Sequence, residues 1–131
     1  MRNTRWFNLE EAHQLLPVIE SVLKRMDAKV KLSEKLHDHL LMEDLLHAAT
    51  GNANQVLLQE DQKHFEQNAE ALVEEIQEIN SLGCKIFDFI KGWIDFPAQH
   101  EGAAVFYVWK RGEADIRFYR TAQDKTKLLP L

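Results

Sequence analysis

Asp95, Glu101, Lys110, Glu113, Arg117 and Tyr119 fall at predicted strand ends or turns, among Trp93, Phe96 and Trp109. Aromatic walls with a few converging charges are the make-up of a small-molecule pocket. They are equally the make-up of the rim of a self-association surface. The candidate ligand-binding residues are therefore Asp95, Glu101, Trp109, Lys110, Glu113, Arg117 and Tyr119. Plainer readings stand beside this one: Asp95 before Phe96-Pro97 can simply fix a turn, and Trp109 can be core.

A second group gathers where a helical hairpin would turn. His37, His39, His47 and His64 lie there, with Glu34, Glu43, Glu60 and Asp61 close by. Glu34 and His37 have the Glu-x-x-His spacing of di-iron carboxylate bundles, but such sites need several helices, so a second copy would have to complete one. His39, Glu43 and His47 share a helix face, yet the two histidines stand ~12 Å apart along it, too far for one ion. The metal candidates reduce to His39 and Glu43, joined by His64 across the hairpin. Solvated or capping histidines are the plainer reading.

Glu66, Glu70, Glu74 and Glu78 stand four apart and form an acidic ridge. Like charges at that spacing repel. Lys24, Lys31 and Lys35 lie at roughly matching heights on an antiparallel neighbour and would relieve the repulsion; a basic partner surface would do the same. Nucleophilic catalysis gains no support, because Ser33 and Ser81 lie on predicted helices without an oxyanion loop or glycine elbow. There is no phosphate-binding glycine motif. No residue pattern identifies a cofactor. Lone Cys84 follows a helix-ending glycine and reads as a small packing residue.

The elements that must position these groups change type at Gly83. Before it, apolar residues recur at helical spacing; after it, they alternate with polar ones. Asn8 and Glu11 have the spacing of reciprocal caps at the start of a first helix. Leu9, Ala12, Leu16, Ile19, Leu23, Met26 and Val30 form its seam, with Pro17 expected to kink its early turns. Thr50-Gly51-Asn52-Ala53-Asn54 reads as the loop. A second helix carries Leu58, Phe65, Ala69, Leu72, Ile76 and Ile79, and ends at Asn80-Ser81-Leu82-Gly83.

Folding at the loop sets this helix against roughly residues 22–49 of the first, leaving the earlier turns to cover a sheet. Three strands are expected beyond Gly83: one from Ile86 to Ile94 with a bend at Gly92, one from Val105 to Trp109, and one from Asp115 to Tyr119. The turns are His100-Glu101-Gly102 and Lys110-Arg111-Gly112-Glu113. A meander of this size needs a helix on one face.

The chain has 131 residues and a net charge of −5, which bound it to one core and one domain. Residues 1–83 hold 8 basic and 15 acidic side chains and residues 84–131 hold 8 and 6, a split of −7 and +2. An acidic hairpin beside a mildly basic sheet argues against nucleic-acid binding, which needs a concentrated positive face. No apolar run approaches the ~20 residues of a membrane span. A single cysteine and no apolar leader after Met1 make the cytoplasm the expected location.

Phe7-Asn8-Leu9-Glu10-Glu11-Ala12 and Leu15-Leu16-Pro17 resemble the opening of the bacterial family called domain of unknown function 2203. So do Gly92 through Ala98, Glu101-Gly102, and Val105 through Glu113 with Ile116. The likeness covers nearly the whole length. The family pattern has threonine where Asn8 stands, leucine at Trp93, histidine at Arg120 and arginine at Leu128. A family site built on that histidine or arginine would be altered in this chain. The resemblance implies a compact domain of the bacterial cytosol and brings no reaction with it.

The expected architecture is α+β. It is one domain over residues 1–131: a long antiparallel two-helix hairpin (about 8–83), a three-stranded antiparallel meander on the N-terminal part of the first helix (about 84–120), and a tail (121–131). The expected function is a non-enzymatic, self-associating interaction module, since two helices alone leave coiled-coil-like seams uncovered and a second copy is the simplest cover. A small-molecule-binding protein or enzyme using the sheet is the competing expectation, and metal binding at the hairpin tip the third.

Overall fold

The computed structural model describes residues 6–51 and 55–131, with side chains over 6–51 and 59–131. Two helices precede a sheet: α1 (Leu9–Thr50) and α2 (Gln55–Ser81), then β1 (Lys85–Asp88), β2 (Trp93–His100), β3 (Ala103–Lys110), β4 (Phe118–Thr121) and β5 (Leu129–Pro130). The class is α+β. The strands form one antiparallel sheet in the order β1-β2-β3-β4-β5. Among the described residues, no helix is long and apolar enough to cross a membrane.

The sheet has five strands where three were expected. The stretch from Ile86 to Ile94 is not one bent strand but a hairpin that reverses through Phe89–Gly92. Gly92 makes this turn at φ +73, and a Cβ there would sit 2.7 Å from Arg111 Cβ. Only glycine fits both the backbone and the space. The third expected strand lies later, at Phe118–Thr121, and Leu129–Pro130 of the tail adds the fifth. The turn at Glu101-Gly102 stands where it was expected, with φ of +53 and +79, the pair of left-handed residues that a two-residue hairpin loop requires.

The chain divides into two compact units. The first comprises the described residues through Val22 together with Ile76–Leu131. Here α1 starts with the reciprocal cap: the Asn8 N–H donates to Glu11 Oε1 at 3.1 Å, and the Glu11 N–H donates to Asn8 Oδ1 at 2.7 Å. The early turns of α1 bury Ala12, Leu16 and Ile19 over the sheet, whose inner face buries Ile94, Phe96, Ala98, Val105, Tyr107 and Trp109. Phe7 closes the edge. Its N–H donates to the Pro97 carbonyl at 2.8 Å, and its ring meets Phe96 edge-on at 5.3 Å. Polar groups add fixed points: His13 Nε2 accepts the Ile116 N–H at 3.0 Å, and Arg111 pairs with Glu20 at 3.0 Å.

The second unit, Leu23–Glu75, is the helical hairpin. Its register is antiparallel: Arg25 pairs with Glu75, Asn68 Nδ2 donates to the Lys29 carbonyl, and His39 meets Asp61. α1 ends with the Gly51 N–H donating to the His47 carbonyl at 2.8 Å. The rest of the expected loop, 52–54, lies outside the described residues, as does the Leu58 side chain.

Candidate functional site

Side chains alternate between the faces of a strand, so the register decides which groups meet. Asp95 is opposite Lys85 on β1 and Val108 on β3, while Phe106 is opposite Pro97 on β2 and Arg120 on β4. All of these project from the face away from α1. Asp95 and Arg120 are therefore diagonal neighbours across β3. The Arg120 Nε donates to Asp95 Oδ1 at 3.2 Å, and Nη2 donates to Oδ2. Both residues are only 4% exposed.

Aromatic rings seal this pair from water. The Arg120 guanidinium carbon lies 4.3 Å from the Phe87 ring centroid and 4.6 Å from that of Phe106. A guanidinium is planar and weakly hydrated, which suits it to a slot between rings. Trp93 stacks on Phe87 at 6.2 Å and buttresses the outer side. Burial pushes the Asp95 carboxyl above its ordinary value of 3.8; the hydrogen bond and charge of Arg120 pull it down, and desolvation is the larger effect. Arg120 Nη1 is buried and has no hydrogen-bond partner among the described residues.

A pocket of about 290 Å³ opens at this pair. That is near the lower end of the ~300–1,000 Å³ usual for ligand clefts. Phe87, Pro97 and Phe106 give it apolar walls, and Lys85 and Lys125 add charge to Asp95 and Arg120.

Among the residues expected to bind a ligand, Asp95 lines this pocket and the others are dispersed. Lys110 shares the face but sets its ammonium over the Phe118 ring at 4.4 Å and the Trp93 ring at 5.6 Å. Trp109 and Tyr119 point to the opposite face: Trp109 is core and donates from Nε1 to the Glu113 carbonyl, and Tyr119 lies 4.5 Å from the His100 ring. Glu113 and Arg117 approach each other at 3.7 Å beyond β3, and Glu101 occupies its exposed turn. Arg120, Phe87 and Phe106 were not anticipated. Alternation would have found them once the last long strand was set at Phe118–Thr121, because that register places Arg120 beside Phe106 and diagonal to Asp95.

In the hairpin, the register sets His39 Nδ1 2.6 Å from Asp61 Oδ2. Glu43 is half-buried and His64 exposed, and no three metal-ligating side chains gather among the described residues. Glu66, Glu70, Glu74 and Glu78 are exposed, and Glu75, one position off the ridge, pairs with Arg25 and Lys29.

A family model for an uncharacterised conserved protein, DUF2203, matches residues 5–126, a range that includes every residue lining the pocket. The chain belongs to the DUF2203 family. No curated protein and no solved structure matches it. Within this DUF2203 protein both members of the pair lie in the matched residues, Asp95 in its Asp-Phe-Pro-Ala segment and Arg120 on β4.

Proposed function

We propose that this DUF2203 protein is a small-molecule-binding domain whose site is the pocket at Asp95 and Arg120. The observation that carries the reading is Arg120 Nη1, a charged donor buried at the pocket without an acceptor among the described residues. Leaving such a donor unsatisfied costs about 1–3 kcal/mol, which a bound acceptor recovers. A buried ion pair is in any case a poor stabilising device, since apolar residues of similar volume often serve as well or better. Its place beside a cleft favours binding. The protein acts in the cytoplasm on this reading, in keeping with a sequence that holds a single cysteine.

The test is a fragment screen on ¹⁵N-labelled protein. Saturable shifts of the Phe87, Phe106 and Arg120 amides support the reading, whereas shifts confined to other regions contradict it.

Self-association as a dimer is the second reading, and one feature of the hairpin favours it. Leu41, Met42, Leu45 and Leu46 lie on adjoining rows of α1 and are 46–56% exposed. Such a stripe is what a second copy would cover. Light scattering at micromolar concentration should then give twice the chain mass, and Leu41→Glu with Leu45→Glu should halve it. A monomeric wild-type protein would remove this reading.

A further inference from the structure

We infer that the pocket takes a small organic anion, one oxyanion group on a flat apolar body, with Arg120, Lys85 and Lys125 as its cationic partners. The inference rests on the binding reading above and adds the ligand's charge. Three cations and one carboxylate contribute to the pocket. Both oxygens of that carboxylate are already held by Arg120 through Nε and Nη2. The charge that remains uncommitted is therefore positive: Nη1 of Arg120, and the two lysines, which have no carboxylate partner among the described residues.

The division of labour follows from burial. Arg120 is fixed at two points by Asp95, so its guanidinium is oriented before a ligand arrives and donates in a region from which water is largely excluded, where a charge-assisted hydrogen bond is strongest. Nη1 is itself covered, so an oxyanion reaches it by displacing one of the half-buried rings of Phe87 and Phe106. The exposed ammonium groups of Lys85 and Lys125 attract the anion and hold its outer side. Phe87, Pro97 and Phe106 supply the surface for the apolar body. Asp95 is a positioning residue here. It orients the guanidinium, and its charge is matched by that of Arg120. A cation would meet two lysines.

The experiment is an NMR titration of the full chain with benzoate, benzyl alcohol, benzylamine and inorganic phosphate at fixed ionic strength. Benzoate is expected to shift the Phe87, Phe106 and Arg120 amides saturably, at least about tenfold more tightly than benzyl alcohol, the gap expected of one charge-assisted contact. Phosphate shifting the same amides also supports the inference and identifies the oxyanion alone as sufficient. Lys85→Gln and Lys125→Gln should each weaken benzoate by about two- to fivefold, the range for exposed charges, with the rest of the spectrum unchanged. Benzylamine or benzyl alcohol binding as tightly as benzoate would overturn the anion inference and leave the pocket reading standing. None of the four shifting a pocket amide, while a fragment screen still finds ligands there, would also overturn it. Should no compound of either experiment reach the pocket, both readings fall.

Discussion

The sheet unit and the hairpin unit are built from similar apolar residues and bury them very differently. In the first, Ile19, Ile94, Phe96 and Val108 are wholly buried. In Leu23–Glu75, the buried residues among those described are Leu23, Met26 and Asn68, while Leu32, Leu41, Met42, Leu45 and Leu46 are about half exposed. The reason is geometric. A helix laid on a sheet encloses a layer between two broad surfaces, whereas two helices share one narrow seam and leave the rest of each cylinder in water. The charged pair of the first unit lies on the other face of that sheet, where Phe87 and Phe106 cover it, and that is where the candidate site lies.

Substitutions should divide along the same line. Phe96→Ala removes a large side chain from the sheet core and should cost about 3–5 kcal/mol in urea unfolding. Leu45→Ala in the hairpin should stay within about 0.5 kcal/mol in the monomer. Equal losses at the two positions would erase the contrast. Asp95→Ala strands the Arg120 charge between two rings and should cost about 3–5 kcal/mol, whereas Arg25→Ala, which breaks the exposed pair with Glu75, should cost about 0.2–1 kcal/mol. Asn8→Ala should cost about 1 kcal/mol by removing the cap of α1, with Asn8→Gly milder.

The pH dependence sharpens the comparison within the sheet unit alone. The folded-state pKa of Asp95 is raised above 3.8, so folding favours its protonated form. The stability this preference contributes is full below 3.8 and is lost as the pH rises through the higher native value. The difference in unfolding free energy between the wild-type protein and Asp95→Asn should therefore fall across that interval. A difference that grows with pH would mean that Arg120 outweighs desolvation.

Much of this was legible in the residues themselves. Asn8 with Glu11, Gly83 after the second helix and the Glu101-Gly102 turn are local signals, and local signals survive without knowledge of the tertiary fold. The site was less legible because it depends on register. Asp95 was singled out by its aromatic neighbours, but its partner lay one residue past the strand assigned to Asp115–Tyr119. Reading Ile86 to Ile94 as one bent strand hid β1, and with it the approach of Phe87 and Lys85. Leu129–Pro130 escaped notice because two residues carry no alternation to detect.

On the proposed reading, Asp95 and Arg120 serve binding and add little to folding. Urea unfolding of Asp95→Leu/Arg120→Met measures this most directly. The expected result is a variant as stable as the wild-type protein or more so, by up to about 4 kcal/mol. A double variant that loses as much as Asp95→Ala alone would contradict it.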